Sequence, residues 1–110
     1  MSIVRIGDQD IRLDDDSEVV VAEVRGFPAV ELSGHALRQM TIRDITRDQV
    51  LETMRKPDLT GLPTEAGRYR FRRHKTARIS IDVVFEELAT HILVITAIKI
   101  ERGIVKRGGR

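Results

Sequence analysis

Ser33-Gly34-His35-Ala36-Leu37-Arg38-Gln39-Met40, and a short step later Thr46-Arg47-Asp48-Gln49-Val50-Leu51-Glu52-Thr53-Met54-Arg55-Lys56-Pro57, are where the chain changes from a strand-like to a helical pattern. The Ser33 hydroxyl can accept a free amide of a first helical turn, and Ala36, Leu37 and Met40 then recur at helical spacing. A first helix of about two turns is predicted. Thr46 with Gln49 three residues later is a capping-box pattern, and Val50, Leu51 and Met54 form the apolar stripe of a second helix. Pro57 lacks the amide hydrogen that would continue the ladder, so the second helix stops before it.

Downstream, Asp58 to Gly67 holds Gly61, Pro63 and Gly67 and reads as a loop. Three strands follow. Tyr69 and Phe71 alternate with Arg68, Arg70 and Arg72, and Ile79, Ile81, Val83 and Phe85 alternate with Arg78, Ser80 and Asp82. Ile92 to Ile100 is apolar on both faces, as a central strand should be. The connections at His74-Lys75-Thr76 and Glu86-Glu87-Leu88-Ala89 are short enough for antiparallel hairpins. Upstream, Ile3 to Leu13 is interrupted by Gly7-Asp8-Gln9-Asp10 and reads as a hairpin. Asp14-Asp15-Asp16-Ser17 reads as a solvated acidic loop, Val19 to Val24 as a strand, and Ala29 to Leu32 as a short extended segment. Helices segregated from strands predict an α+β fold: two helices packed on an antiparallel meander, with a β-rich N-terminal extension. One domain is expected over residues 1–110, made of the acidic extension 1–32, the core 33–100 and a basic, frayed tail 103–110.

Composition narrows the chemistry. The chain has no cysteine, so disulfides, thiolate metal sites and a cysteine nucleophile are excluded. The longest apolar run, Ile92 to Ile98, falls far short of the roughly 20 residues a membrane helix needs. Met1 to Arg5 reaches Gly7 and Asp8 before any signal-like apolar stretch, which predicts a cytoplasmic protein. The net charge of +2 conceals an uneven distribution. Residues 1–32 carry three arginines and eight acids, whereas residues 33–78 carry eleven Lys/Arg and five acids. Such a middle segment suits a polyanion such as RNA, although charges of this kind also simply solvate a surface.

There is no glycine-rich phosphate loop, no nucleophile-elbow serine and no local zinc spacing among His35, His74 and His91, so neither metal nor cofactor is expected. The residues that remain are His35, Arg38, Arg43, Thr96, His74 and the arginines Arg70, Arg72 and Arg73. His35 and Arg38 stand three apart on one helix and share a side of it. Arg70 and Arg72 share a face of their strand, opposite Tyr69 and Phe71. Histidine transfers protons near neutrality, and the planar guanidinium binds phosphate oxygens while staying charged. A metal-free ribonuclease could use that combination. Each residue also has an ordinary structural reading: His35 a helix hydrogen-bonder, Arg38 a surface ion-pair partner, His74 a turn residue, Thr96 a strand former, and His91 no role. One tyrosine and no tryptophan argue against a base-stacking binder.

The run from Ser33 to Met40, followed by Arg43, Ile45, Val50, Met54, Pro57 and the strand triplet Val94-Ile95-Thr96, resembles a bacterial family known as domain of unknown function 4258. That family pairs a His-Ala-x-x-Arg-Met helix with an Arg-x-Ile step and a Val-Ile-Thr strand, and it is similar to RelE-type and colicin-type ribonuclease toxins of the barnase–EndoU–colicin–RelE superfamily. The resemblance covers about residues 33–99 and implies RNA cleavage, with His35, Arg38 and Thr96 leading the site and an antitoxin or immunity protein as partner. Asp44 stands where the family has glycine, and residues 1–32 have no counterpart. Two further readings remain beside cleavage: a non-catalytic RNA or polyanion binder, and a protein-interaction domain that offers its N-terminal strands as an edge.

Overall fold

The structure, a computed structural model, describes residues 2–102. The tail predicted over residues 103–110 lies outside the described residues. The element order is β1 (Ser2–Ile6), β2 (Gln9–Leu13), β3 (Glu18–Val20), β4 (Val30–Leu32), α1 (Gly34–Arg43), α2 (Arg47–Arg55), β5 (Tyr69–His74), β6 (Ile79–Glu87) and β7 (Ile92–Glu101). Strands β1 and β2 form an antiparallel hairpin, turned at Gly7 with φ 60°. The other five strands form one sheet in the order β3-β4-β7-β6-β5. The chain is an α+β protein, and among the described residues no helix is long and apolar enough to cross a membrane.

The helix boundaries follow the local chemistry read from the sequence. The Ser33 hydroxyl accepts the Ala36 amide at 3.0 Å, and the Thr46–Gln49 capping box closes in both directions, at 2.9 and 3.1 Å. Helix α1 spans ten residues rather than two turns. It ends at Asp44, in the left-handed conformation (φ 56°, ψ 52°) that glycine adopts without cost and aspartate tolerates.

Ala36 and Met40 of α1, with Val50, Leu51 and Met54 of α2, pack against one sheet face made of Val30, Leu32, Phe71, Ile81, Val83, Phe85, Ile92, Val94 and Ala97. On the opposite side of the sheet the hairpin forms a smaller cluster, with Ile11 and Leu13 against Ala29 and Val19 packed at its border. The helices therefore cover one face, and the hairpin covers only the β3–β4 end of the other.

Two expectations need correction. The sheet is mixed, not antiparallel throughout, because β4 pairs in parallel with β7 (Val30 with Ile92, Leu32 with Val94). Three residues are too few to show a pattern, and the partner lies about sixty residues away. The Val19–Val24 run is not one strand. Pairing stops at Val20, Val21 is 69% exposed, and Val24 instead bridges to Phe27 across a tight turn in which Arg25 and Gly26 both have positive φ.

Candidate nucleic-acid interface

Alternation along β5 decides where its arginines go. Phe71 enters the core beneath the helices, so Arg70, Arg72 and His74 project from the opposite face. The pairing register continues each across the sheet: Arg70 beside Val84 beside Thr96, Arg72 beside Asp82 beside Ile98, and His74 beside Ser80 beside Ile100. Four of the eight predicted residues are thereby sorted by simple periodicity, with Arg70, Arg72, His74 and Thr96 on one open face.

Asp82 organises this face. It is fully buried, and both its carboxylate oxygens are occupied. Arg72 donates from Nε to Oδ1 at 2.6 Å and from Nη2 to Oδ2 at 2.9 Å, while Arg70 donates from Nε to Oδ2 at 2.7 Å. These bonds to Asp82, aided by its charge and opposed by partial burial, raise the Arg72 pKa above its ordinary value. Two guanidiniums share one carboxylate, leaving a local excess of positive charge and further N–H groups on each fork. One step along, Arg68 bonds Glu86 at 3.0 Å and also pairs with Glu65.

His74 ends the strand. Its amide donates to Asp58 Oδ2 at 2.7 Å, and its ring Nδ1 lies 2.8 Å from Ser80 Oγ. Ser80 thus fixes the ring orientation, His74 as a whole is exposed, and Nε2 makes no hydrogen bond among the described residues. Just beyond, His74, Lys75, Thr76, Ala77 and Arg102 line an open cleft of about 470 Å³, and among the described residues no carboxylate stands in its wall. Arg102 is drawn in by its amide, which donates to the Arg78 carbonyl at 2.6 Å.

The other predicted residues lie elsewhere. His35 is exposed, on the side of α1 turned away from Ala36 and Met40, and makes no hydrogen bond or ion pair among the described residues. Arg38 lies 3.8 Å from Asp16, with both side chains 65% exposed, which is its surface ion-pair reading. Because α1 packs on the Val94–Ala97 side of β7 and Thr96 faces the other side, a pocket holding His35, Arg38 and Thr96 together is not formed. Arg43 bonds Gln39 one turn back along α1 at 2.9 Å. Arg73 points to the helix side, donates to the Lys56 carbonyl at 2.7 Å, and lines a cavity of about 160 Å³ with Asp48, Glu52 and Thr53.

Several partners escaped the sequence reading. His91 is buried and its Nε2 lies 2.8 Å from the buried Glu31 Oε1, beneath the hairpin. Asp82, Ser80, Lys75 and Arg102 gain their places only through strand register. Asp16 is exposed, as its loop reading has it, and also lies against the first turn of α1: a Cβ on Gly34 would meet its Oδ2 at 2.0 Å. Among the described residues no group of three His, Asp or Glu side chains could hold a metal ion.

No family model matches this chain. No curated protein or solved structure matches it either.

Proposed function

We propose that this domain binds RNA along the open sheet face and cleaves it in the cytoplasm without a metal, with His74 as the proton-transfer group and Arg70 and Arg72 on the phosphate. The observation that supports this reading is the trio itself: two guanidiniums held by one buried carboxylate, next to an imidazole held by Ser80 on the same strand face. In the proposed reaction the ribose 2′-oxygen attacks the adjacent phosphorus while His74 Nε2 takes its proton. The bond from phosphorus to the 5′-oxygen breaks, and the imidazolium returns the proton to that leaving oxygen. The arginines stabilise the charge that builds on the non-bridging oxygens. An inhibitory antitoxin or immunity protein would act by covering this face.

The test is incubation of end-labelled RNA with the protein in excess chelator. The expected products carry 2′,3′-cyclic phosphate ends. His74→Ala should slow cleavage by about 10²–10⁴-fold, whereas His35→Ala should leave the rate unchanged. Loss of cleavage with His35→Ala but not with His74→Ala would overturn the assignment and return the site to α1.

The second reading is binding without cleavage, and a specific observation favours it: Arg68, Arg70 and Arg72 already have carboxylate partners, as in a structural ion-pair ladder. Intact RNA after long incubation, with affinity that still falls steeply with salt and drops in Arg70→Ala/Arg72→Ala, would select it.

A further inference from the structure

We infer that the cleft at the β5–β6 turn is a seat for a phosphate monoester, the dianionic group found at an RNA end or as free phosphate, and not just one more stretch of phosphodiester track. The inference rests on the RNA reading only in naming an RNA end as the source. His74, Lys75 and Arg102 stand in the cleft wall, and Arg78 anchors Arg102 from the same turn. Two neighbouring acids are already occupied, Asp82 by the two arginines and Asp58 by the His74 amide, while Glu101 alternates to the helix-side face of β7 with Ala97 and Lys99. A monoester carries about −1.5 to −2 charge near neutrality, against a single charge for each internal phosphodiester, so Arg102 and Lys75, which also borders the helix-side cavity of Asp48 and Glu52, discriminate in its favour in a wall that has no carboxylate among the described residues. Lysine offers a point charge and arginine a fork, which together suit three terminal oxygens.

The turn backbone adds a donor. Lys75 and Thr76 amides both donate to the Ile79 carbonyl, and the Thr76 hydroxyl accepts from the Arg78 and Ile79 amides at 3.1 and 3.0 Å. The turn is thereby pinned on both sides of Ala77. Among the described residues the Ala77 N–H donates to no protein group, and Ala77 lines the cleft. An exposed turn amide with no protein acceptor, beside cations, is an arrangement that favours an anion. His74 belongs to both places: its side chain shares the sheet face with Arg72 and lines the cleft. A chain end seated there would place its neighbouring phosphodiester along Arg72 and Arg70.

Two measurements test this. In the first, inorganic phosphate is titrated into isotope-labelled full-length protein and followed by NMR. Saturable shifts are expected at the Lys75 and Ala77 amides and the His74 ring. In the second, one RNA sequence bearing a 5′-phosphate, a 3′-phosphate or only hydroxyl ends is compared by competition. A phosphorylated end should bind about tenfold more tightly, and Lys75→Ala/Arg102→Ala should erase that preference while Arg70→Ala lowers all three affinities alike. Phosphate that leaves these signals unmoved overturns the site. Phosphate shifts accompanied by equal RNA affinities support the site and assign it to free phosphate instead of an RNA end. If no RNA binds at all, the RNA reading falls, and the phosphate titration still decides the cleft.

Discussion

Removing the Asp82 carboxylate should destabilise the protein more than any single arginine change on the same face. Asp82 has no exposed surface and accepts three charge-assisted hydrogen bonds, while the side chains of Arg70 and Arg72 are 29% and 26% exposed. Breaking a buried ion pair by deleting one partner costs about 3–5 kcal/mol, because the remaining charge stays desolvated. Here the orphaned guanidiniums can turn partly into water, which reduces the loss for Asp82→Ala to about 3 kcal/mol. For a domain of this size that is a fall of about 10–15 °C in Tm. Urea unfolding at neutral pH, followed by circular dichroism, measures it directly. A companion variant replacing Asp82, Arg70 and Arg72 together with Leu or Met should recover most of the stability, since an apolar substitute needs no compensation. If Asp82→Ala unfolds within about 0.5 kcal/mol of the parent, the carboxylate does not hold the arginines, and the preorganised phosphate platform loses its basis.

Two further outcomes follow from local geometry. Asp44→Gly should stabilise the protein by up to about 1 kcal/mol, because glycine adopts the left-handed conformation without a Cβ penalty; an unchanged or lowered urea midpoint would show that the Asp44 side chain contributes more than its backbone costs. The Glu18 carboxyl is held below its ordinary range, chiefly by its hydrogen bond to Arg47 with a smaller charge attraction, against a burial effect in the other direction. A depressed native pKa stabilises the fold above the unfolded value and stops doing so as pH falls through the native one. Glu18→Gln should therefore cost about 0.5 kcal/mol at pH 7 and nothing near pH 2, and an equal effect at both pH values would contradict the pair.

What could be read from the sequence divides by distance along the chain. The caps at Ser33 and Thr46, the stop at Pro57 and the shared face of Arg70 and Arg72 depend on neighbours within a few residues, and all stand as read. The parallel pairing of β4 with β7, the burial of Asp82 and the Glu31–His91 contact depend on register between distant segments, and no local pattern announces them. Asp82 alternates with Ile81 and Val83 as any solvent-facing residue would, and only the arginines opposite turn it into a buried anion. His35 illustrates the reverse: helical spacing correctly aligned it with Arg38, but which side of α1 meets the sheet is decided by Ala36 and Met40. His74, a site candidate that also read as a turn residue, ends β5 with its ring against Ser80, a partner that only strand register supplies.

The pairing of β4 with β7 also sets the order in which the protein can assemble as it is made. Strand β7 lies between β4 and β6 in the sheet, yet among the described residues it is the last of the seven strands to leave the ribosome. Until it emerges, β3 and β4 have no neighbour on their inner side, α1 has no strand to lie on at Val94 and Ala97, and β5–β6 has only α2 to pack against. The nascent chain must therefore carry its hydrophobic halves unjoined until β7 has emerged, and closing them spans about sixty residues in one step, the kind of non-local contact that slows folding. A chain stalled before Ile92 should expose both halves to proteases and chaperones.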